Sequence, residues 1–213
     1  MSYDLYAIAA RPGEDPAEVY GALWKAEEGE PAEWTDEQVA RAEMLAASLQ
    51  ALNSRLERYV FDYPKVAAAL GVTEDEARAQ WRHIELNTPD GDNPIQVTID
   101  ADHASLTMAY WYTGERAWET IREALSYLAV IERETGWATF DPQIGRRLDL
   151  RADLNDVVSA YEVGSRHVEE LSRESPAMPK RPPTKGSTGS RPGSDQRLSP
   201  CAASRRLTAP GRQ

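Results

Sequence analysis

Residues 95–112, IQVTIDADHASLTMAYWY, decide the fold of this chain. Apolar and polar residues alternate in both halves of the stretch, and a short aspartate-rich turn separates the halves. Such alternation is typical of β-strands that bury one face. The stretch therefore predicts a β-hairpin whose apolar side packs against the rest of the chain.

The segments around the hairpin complete an alternating pattern of strands and helices. Short apolar runs at 3–10 and 137–141 predict strands, and apolar residues spaced by three and four predict the helices. These helices begin near Asp15, Thr35, Lys65, Thr73, Thr113 and Leu154. The order predicts an α+β fold of the ferredoxin-like, split β-α-β type, with a four-stranded antiparallel sheet and a helical insertion at 35–83. The first strand is expected between the hairpin and the last strand.

The charges divide the chain into two parts. Residues 1–173 contain 16 Lys and Arg against 33 Asp and Glu, a net charge of −17, whereas residues 174–213 contain 8 against 2, a net charge of +6. We expect the first part to be a single domain and the second to be a disordered basic tail, because the tail is rich in Pro, Ser and Gly and poor in apolar residues.

The acidic body restricts the class of partner. It repels phosphates and anionic lipid headgroups and attracts basic surfaces, so we expect a basic protein partner and no membrane, and the charge disfavours nucleic acid. Cys201 is the only cysteine, which excludes an intramolecular disulfide and fits a reducing compartment. No secretory signal and no membrane-spanning apolar run is found, so we expect a cytoplasmic protein.

One segment resembles a DNA-binding helix-turn-helix. Two short helices meet at Gly71, and Ala67 is small enough to permit a close helix crossing. The second helix, however, starts with Glu74, Asp75 and Glu76, where a recognition helix faces phosphates. We therefore favour a structural helical pair and keep DNA binding as an alternative.

Candidate contact residues fall in three places. His103 lies beside Asp100 and Asp102 in the hairpin turn, where a metal site, a proton-transfer group or a solvated turn are all possible. Asp141, Gln143 and Arg146 follow the last strand, where polar groups often bind ligands and where an Asp-Pro pair also starts turns.

Aromatic residues cluster at the end of the hairpin. Trp111 and Tyr112 are candidates there for contact with a partner. No nucleophile elbow, phosphate-binding loop, dinucleotide fingerprint or zinc-ligand spacing is present, so the sequence predicts no catalytic residue, no metal and no cofactor.

Several of these segments resemble a known family. The start SYDLY, the segment FDYPKVAAALGVTEDEARAQWRHIELN, the hairpin and the element ETGWATFDPQIGRRLDL are similar to a family of small uncharacterised bacterial proteins. Members begin with a Tyr-Asp-Leu or Tyr-Asp-Ile strand and carry a Tyr-Asp-Pro-Gln or Phe-Asp-Pro-Gln element. The resemblance covers about residues 2–165 and implies no activity. Some proteins of similar layout look like immunity proteins of bacterial toxin systems.

Together these observations favour a non-enzymatic, immunity-like protein that docks its acidic surface on a basic partner. A small-ligand-binding or enzymatic domain that uses the sheet face, with Asp141, His103 and Arg146 near a cleft, is the first alternative. A DNA-binding regulator is the second.

Overall fold

A computed structural model describes residues 2–11, 13–26, 33–88 and 95–174. Met1–Ser175 form one compact unit. The predicted disordered tail lies outside the described residues, apart from its first position. Seven strands are present in the described part of the chain: β1 (Ser2–Ile8), β2 (Glu57–Arg58), β3 (Ile84–Asn87), β4 (Ile95–Ile99), β5 (His103–Ala109), β6 (Ala138–Asp141) and β7 (Arg146–Arg147).

The predicted hairpin is confirmed as β4 and β5. The two strands pair antiparallel, with Ile95 opposite Met108, Val97 opposite Leu106 and Ile99 opposite Ala104. Burial alternates along both strands, as the pattern of apolar and polar residues requires. The apolar residues of the hairpin therefore lie on one face of the sheet, and their polar neighbours lie on the other.

The strands form one antiparallel sheet in the order β2-β3-β4-β5-β1-β6-β7. β1 pairs with β5 on one side and with β6 on the other, which confirms the predicted central place of the first strand. The mixed α and β composition and the antiparallel sheet are confirmed as well.

The predicted number of four strands is wrong. β3 pairs with β4 and recruits β2, while β7 extends the other edge beyond β6. These additions have two to four residues each, too short to show a reliable periodicity. Pairing with neighbours, rather than local pattern, makes them strands.

The same part of the chain contains six helices: α1 (Pro16–Ala26), α2 (Asp36–Leu52), α3 (Tyr63–Leu70), α4 (Glu74–Gln80), α5 (Glu115–Thr135) and α6 (Leu154–Glu174). α2 contacts β3 and β4, α5 contacts β1 and β6, and α6 packs against α5. α1 lies on the opposite side, where Tyr20 contacts the rings of Tyr6 and Phe140. The central strands are thus covered by α2 and α5 on their apolar face.

Helix ends agree with the sequence at most positions. Thr35 and Thr73 form capping boxes with Gln38 and Glu76, and Gly136 ends α5 in a left-handed conformation. The sequence differs from the structure at two helix ends. Thr113 is a plausible cap for α5, but Gly114 occupies the N-cap without a side-chain hydrogen bond. The apolar spacing of α2 continues to Leu56 and Tyr59 and predicts a longer helix, but α2 ends at Leu52 because the chain turns at Asn53 to pair as β2.

The core lies between the sheet and the helices that cover its apolar face. Leu5, Val97, Leu106, Leu49 and Leu128 have no exposed surface. Burial of this apolar face is the main stabilising contribution to the fold. Among the residues that the structure describes, no helix is both long and apolar enough to cross a membrane.

Candidate functional sites on the sheet

Asp141, at the end of β6, is a buried hydrogen-bond acceptor. Its carboxylate accepts hydrogen bonds from the Tyr3 hydroxyl and from the backbone N–H groups of Gln143 at 2.8 Å and Ile144 at 3.1 Å. The last two bonds form the turn that the Asp-Pro pair suggested. With no exposed surface, Asp141 cannot touch a partner in this conformation.

The surroundings of Asp141 shift its ionisation. Burial raises the pKa of Asp141, although the hydrogen bond from Tyr3 opposes that shift. Burial, followed by the bond to Asp141, also raises the pKa of Tyr3. Tyr3 therefore stays protonated and acts as a donor to the carboxyl group. This pair links β1 to the turn that follows β6.

Tyr3 also belongs to a cluster of three tyrosines. Tyr3 contacts the rings of Tyr110 and Tyr161 at centroid distances of 6.0 and 5.7 Å. The Tyr161 hydroxyl donates to the Ala109 carbonyl at 2.5 Å and ties α6 to the end of β5. Gly164 lies so close to Tyr110 that an added Cβ would be 2.1 Å from the ring. The cluster is a packed structural unit.

Gln143 and Arg146 lie on either side of the same turn but have different partners. When the Gln143 amide is oriented with its nitrogen toward both acceptors, it donates to the Asp4 carbonyl and to Asp141 Oδ1, each at 2.9 Å. Arg146 forms ion pairs with Asp153 at 2.6 Å and Asp156 at 2.7 Å. Arg146 is exposed, and its two ion pairs connect the turn to the start of α6.

His103 lies at the start of β5 within the hairpin turn. Its ring nitrogens lie 3.1 Å from Asp102 Oδ1 and 3.6 Å from Asp100 Oδ2. The hydrogen bond with His103 lowers the pKa of Asp102. His103 extends from the polar face of the sheet, whereas Asp141 extends from the face that buries Tyr3. The structure thus does not bring His103, Asp141 and Arg146 to one cleft.

Trp111 and Tyr112 lie where β5 leaves the sheet. Trp111 is 68% exposed, while Tyr112 is half-buried beneath the Arg116 guanidinium, 4.7 Å from the ring centroid. The Tyr112 N–H donates to the Tyr161 hydroxyl at 3.4 Å, which fixes this segment against α6. Trp111 therefore presents a large apolar side chain from a fixed backbone.

The sequence suggested the sheet face as a possible site, but it did not identify the residues that form the polar face. Strand pairing aligns eight polar side chains there in two rows, one of Asp4, Thr107, Gln96 and Asn87 and one of Tyr6, Ser105, Thr98 and Glu85. Seven of these are half-buried, and Glu85 is only 5% exposed. Burial raises the pKa of Glu85, and the Asn87 amide donates to its carboxylate at 2.7 Å. The alternation in β4 and β5 signalled part of this face, but the register with β3 and β1 could not be inferred from it.

A second surface, which we term the acidic end, gathers carboxylates from distant parts of the chain. It consists of Asp36 and Glu37 in the first turn of α2 and Asp100 and Asp102 in the β4–β5 turn. Arg41 joins the two segments, since it lies 3.2 Å from Glu37 and 3.4 Å from the Ala101 carbonyl. Asp36, Glu37 and Asp102 are exposed.

No group of three or more acidic, histidine or cysteine side chains in the described residues is arranged to hold a metal ion. No family model, no curated protein and no solved structure matches this chain.

Proposed function

We propose that this chain is a non-enzymatic protein-binding domain, similar in role to an immunity protein, that docks its acidic end on a basic partner protein. The observation that carries the proposal is the convergence of four carboxylates from α2 and the β4–β5 turn at one end of a body with a net charge of −17. Such a surface attracts a basic protein and accelerates its association.

The acidic end is held in place without losing its charge. Arg41 is the bridging cation, and its side chain is 29% exposed, while Glu37 remains 86% exposed. Protonation of His103 between Asp100 and Asp102 would offset at most one of the charges. A net negative potential therefore faces solvent, and it is supported by a backbone that the Arg41 contact fixes.

Exposed Trp111 is the second contact that we assign to protein binding. Large aromatic side chains are enriched at the centres of protein interfaces. Its place at the end of β5 is separate from the acidic end, since the two lie at opposite ends of that strand. We propose Trp111 and Tyr112 as an accessory contact, with Gln143 and Arg146 in the neighbouring turn.

We also propose that the four inner strands form a ferredoxin-like core. The order β4-β5-β1-β6, all antiparallel, with α2 and α5 on one face, supports it. β2, β3 and β7 then extend this core at its edges. The similarity to small bacterial proteins with a Phe-Asp-Pro-Gln element stays a prediction.

The test of the main proposal is binding between the purified full chain and the basic proteins encoded next to its gene. We expect a complex whose association rate falls at least about tenfold between low and moderate salt. Replacing Asp36, Glu37 and Asp102 by their amides should weaken it. The matched control replaces Asp75, Glu169 and Glu170, which are exposed on α4 and α6.

A complex unaffected by salt, or one weakened equally by both triple variants, would contradict docking through the acidic end. Absence of any complex with these neighbours would count against the protein-binding role itself.

The polar sheet face favours a second candidate, a domain that binds a small polar ligand there. Hydroxyl, amide and carboxyl groups in two rows could donate to and accept from such a ligand. Amide chemical shifts measured across a panel of sugars and amino acids test it. Shifts confined to β3, β4, β5 and β1 would support this role. If no amide in these strands shifts, the sugars and amino acids tested are excluded as ligands of this face.

DNA binding by α3 and α4 receives no support from the geometry. Arg78 is engaged by Glu74 at 2.6 Å and by the Tyr63 ring at 4.3 Å. The exposed first turn of α4 keeps its three carboxylates. A recognition helix with this charge would repel phosphates.

A further inference from the structure

An open depression of about 1000 Å³ lies between α5 and the segment 146–154. Its floor is apolar, since Leu125 and Leu148 are buried and Leu150 and Leu154 are half-buried. Its walls contain five arginines, Arg122, Arg133, Arg146, Arg147 and Arg151. We term it the arginine depression. A leucine floor with an arginine rim is unexpected on an acidic body.

The acidic residues of the rim are engaged in the local backbone. Glu132 accepts the Thr139 N–H at 3.0 Å, and Asp149 accepts the Arg151 N–H at 2.9 Å. Asp153 accepts the Asp149 N–H at 2.7 Å in addition to its ion pair with Arg146. These carboxylates hold the turns of the depression, so they are poorly placed to neutralise further arginines.

Three of the five arginines have no counter-ion among the residues that the structure describes. Arg146 is paired with Asp153 and Asp156, and Arg133 is paired with Glu134. Arg122, Arg147 and Arg151 are exposed, and no ion pair joins them to any residue that the structure describes. Among the lining residues, five arginines face three carboxylates, which leaves an excess of two positive charges.

We propose that the arginine depression binds an acidic segment of a protein, one in which glutamate or aspartate residues are interleaved with leucine-like side chains. Guanidinium groups bind carboxylates through two parallel hydrogen bonds, and the leucine floor offers apolar contact between them. This combination requires a ligand that is anionic and apolar at once.

The shape and charge of the molecule select this ligand over two others. An open depression leaves a small anion largely in water, where single ion pairs contribute little. A nucleic acid brings phosphates along its whole length and meets repulsion from the body of −17. A short acidic segment concentrates its charge on the three arginines. The acidic end takes no part. Arg146 is shared with the accessory contact proposed above but is not one of the three arginines that carry this site, so the site can be tested separately.

The test is fluorescence anisotropy with a fluorescein-labelled peptide of four glutamates interleaved with leucines, titrated with the full chain. Binding to wild type should weaken at least about tenfold in the triple variant R122Q/R147Q/R151Q, since charge-assisted bonds are lost. The matched control is R191Q/R205Q/R206Q, which removes the same charge from the basic segment after residue 173. It should change affinity less than about twofold.

The three replaced arginines are exposed and form no described ion pair, so the depression variant should keep the unfolding temperature of wild type. A matched peptide with glutamine for glutamate should bind at least about tenfold more weakly than the acidic one. A peptide with serine for leucine should also bind more weakly, because the leucine floor loses its contact.

Equal losses in the two triple variants would overturn the proposal, because binding would then follow net charge alone. A single-stranded oligonucleotide that binds more tightly than the peptide and depends on the same three arginines would also overturn it, in favour of a nucleic-acid site. Absence of peptide binding to wild type at millimolar concentration would exclude the site.

Discussion

Removal of the Asp141 carboxylate should destabilise the protein by about 2–3 kcal/mol in an Asp141→Ala variant. The change leaves the Tyr3 hydroxyl without its acceptor in a place where Tyr3 has no exposed surface. An unsatisfied buried donor costs about 1–3 kcal/mol. The N–H groups of Gln143 and Ile144 lose an acceptor too, but water can reach this turn more easily because Gln143 is exposed.

A gain partly offsets that loss. Burial raises the pKa of Asp141, which means that its ionised form is destabilised in the folded protein. Asp141→Asn removes this ionisation and keeps an acceptor for the turn, so it should cost only about 1 kcal/mol. The free energy of unfolding should therefore decrease from wild type to Asp141→Asn to Asp141→Ala. Urea unfolding followed by tryptophan fluorescence measures it.

A double-mutant cycle with Tyr3→Phe isolates the bond between the two side chains. Each single variant leaves one partner unsatisfied and the double variant removes both, so the losses should fall short of additivity by about 1–2 kcal/mol. Tyr127→Phe is the control. Tyr127 is also buried and bonds to Glu123 and Asn53, a network that shares no partner with Asp141.

Asp141→Ala and Tyr127→Phe should be additive within about 0.5 kcal/mol. Additivity of Asp141→Ala with Tyr3→Phe as well would refute the reasoning, because the two groups would then not depend on each other in the folded state.

Three further predictions follow from local geometry. Burial raises the pKa of Glu85. Wild type should therefore lose stability relative to Glu85→Gln as the pH rises from about 4.3 through the raised pKa. Urea unfolding at several pH values measures this, and a stability difference that does not change with pH would contradict it. Gly164→Ala should lower the free energy of unfolding by about 1–3 kcal/mol in the same assay, because its Cβ would overlap Tyr110. The control Gly21→Ala in α1, where a Cβ meets nothing within 4 Å, should not destabilise the protein. Similar losses at both sites would count against the overlap. Thr73→Ala should remove about 1 kcal/mol of capping from α4 and speed its amide exchange, while Thr73→Ser should retain most protection; equal exchange in both would argue against the cap.

Strong local signals in the sequence predicted the centre of the fold. The alternation at 95–112 predicted β4 and β5, and the caps at Thr35 and Thr73 located two helix starts. Cross-strand register was not available from these signals. The register depends on which strands pair, and the sequence of one strand does not specify its partner.

For the candidate residues too, the sequence revealed local features but not contacts between distant segments. The Asp-Pro turn at Asp141 was visible as a pattern, yet the pattern could not show that Tyr3, 138 residues away, donates to its carboxylate. His103 and its two aspartates were adjacent in sequence and stay adjacent in space. The arginine depression escaped prediction because α5 and the segment 146–154 contribute separate arginines to it.

The sequence by itself determined the alternation, the amphipathic helices, their caps and the net charge of −17 on residues 1–173, since each depends on residues close together in the chain or on a sum over it. The tertiary structure alone decided that β2, β3 and β7 are strands, that His103 and Asp141 face opposite sides of the sheet, and that five arginines line one depression. Short edge strands and shared surfaces form through contacts between segments distant in sequence, and their energies exist only once the core has brought those segments together.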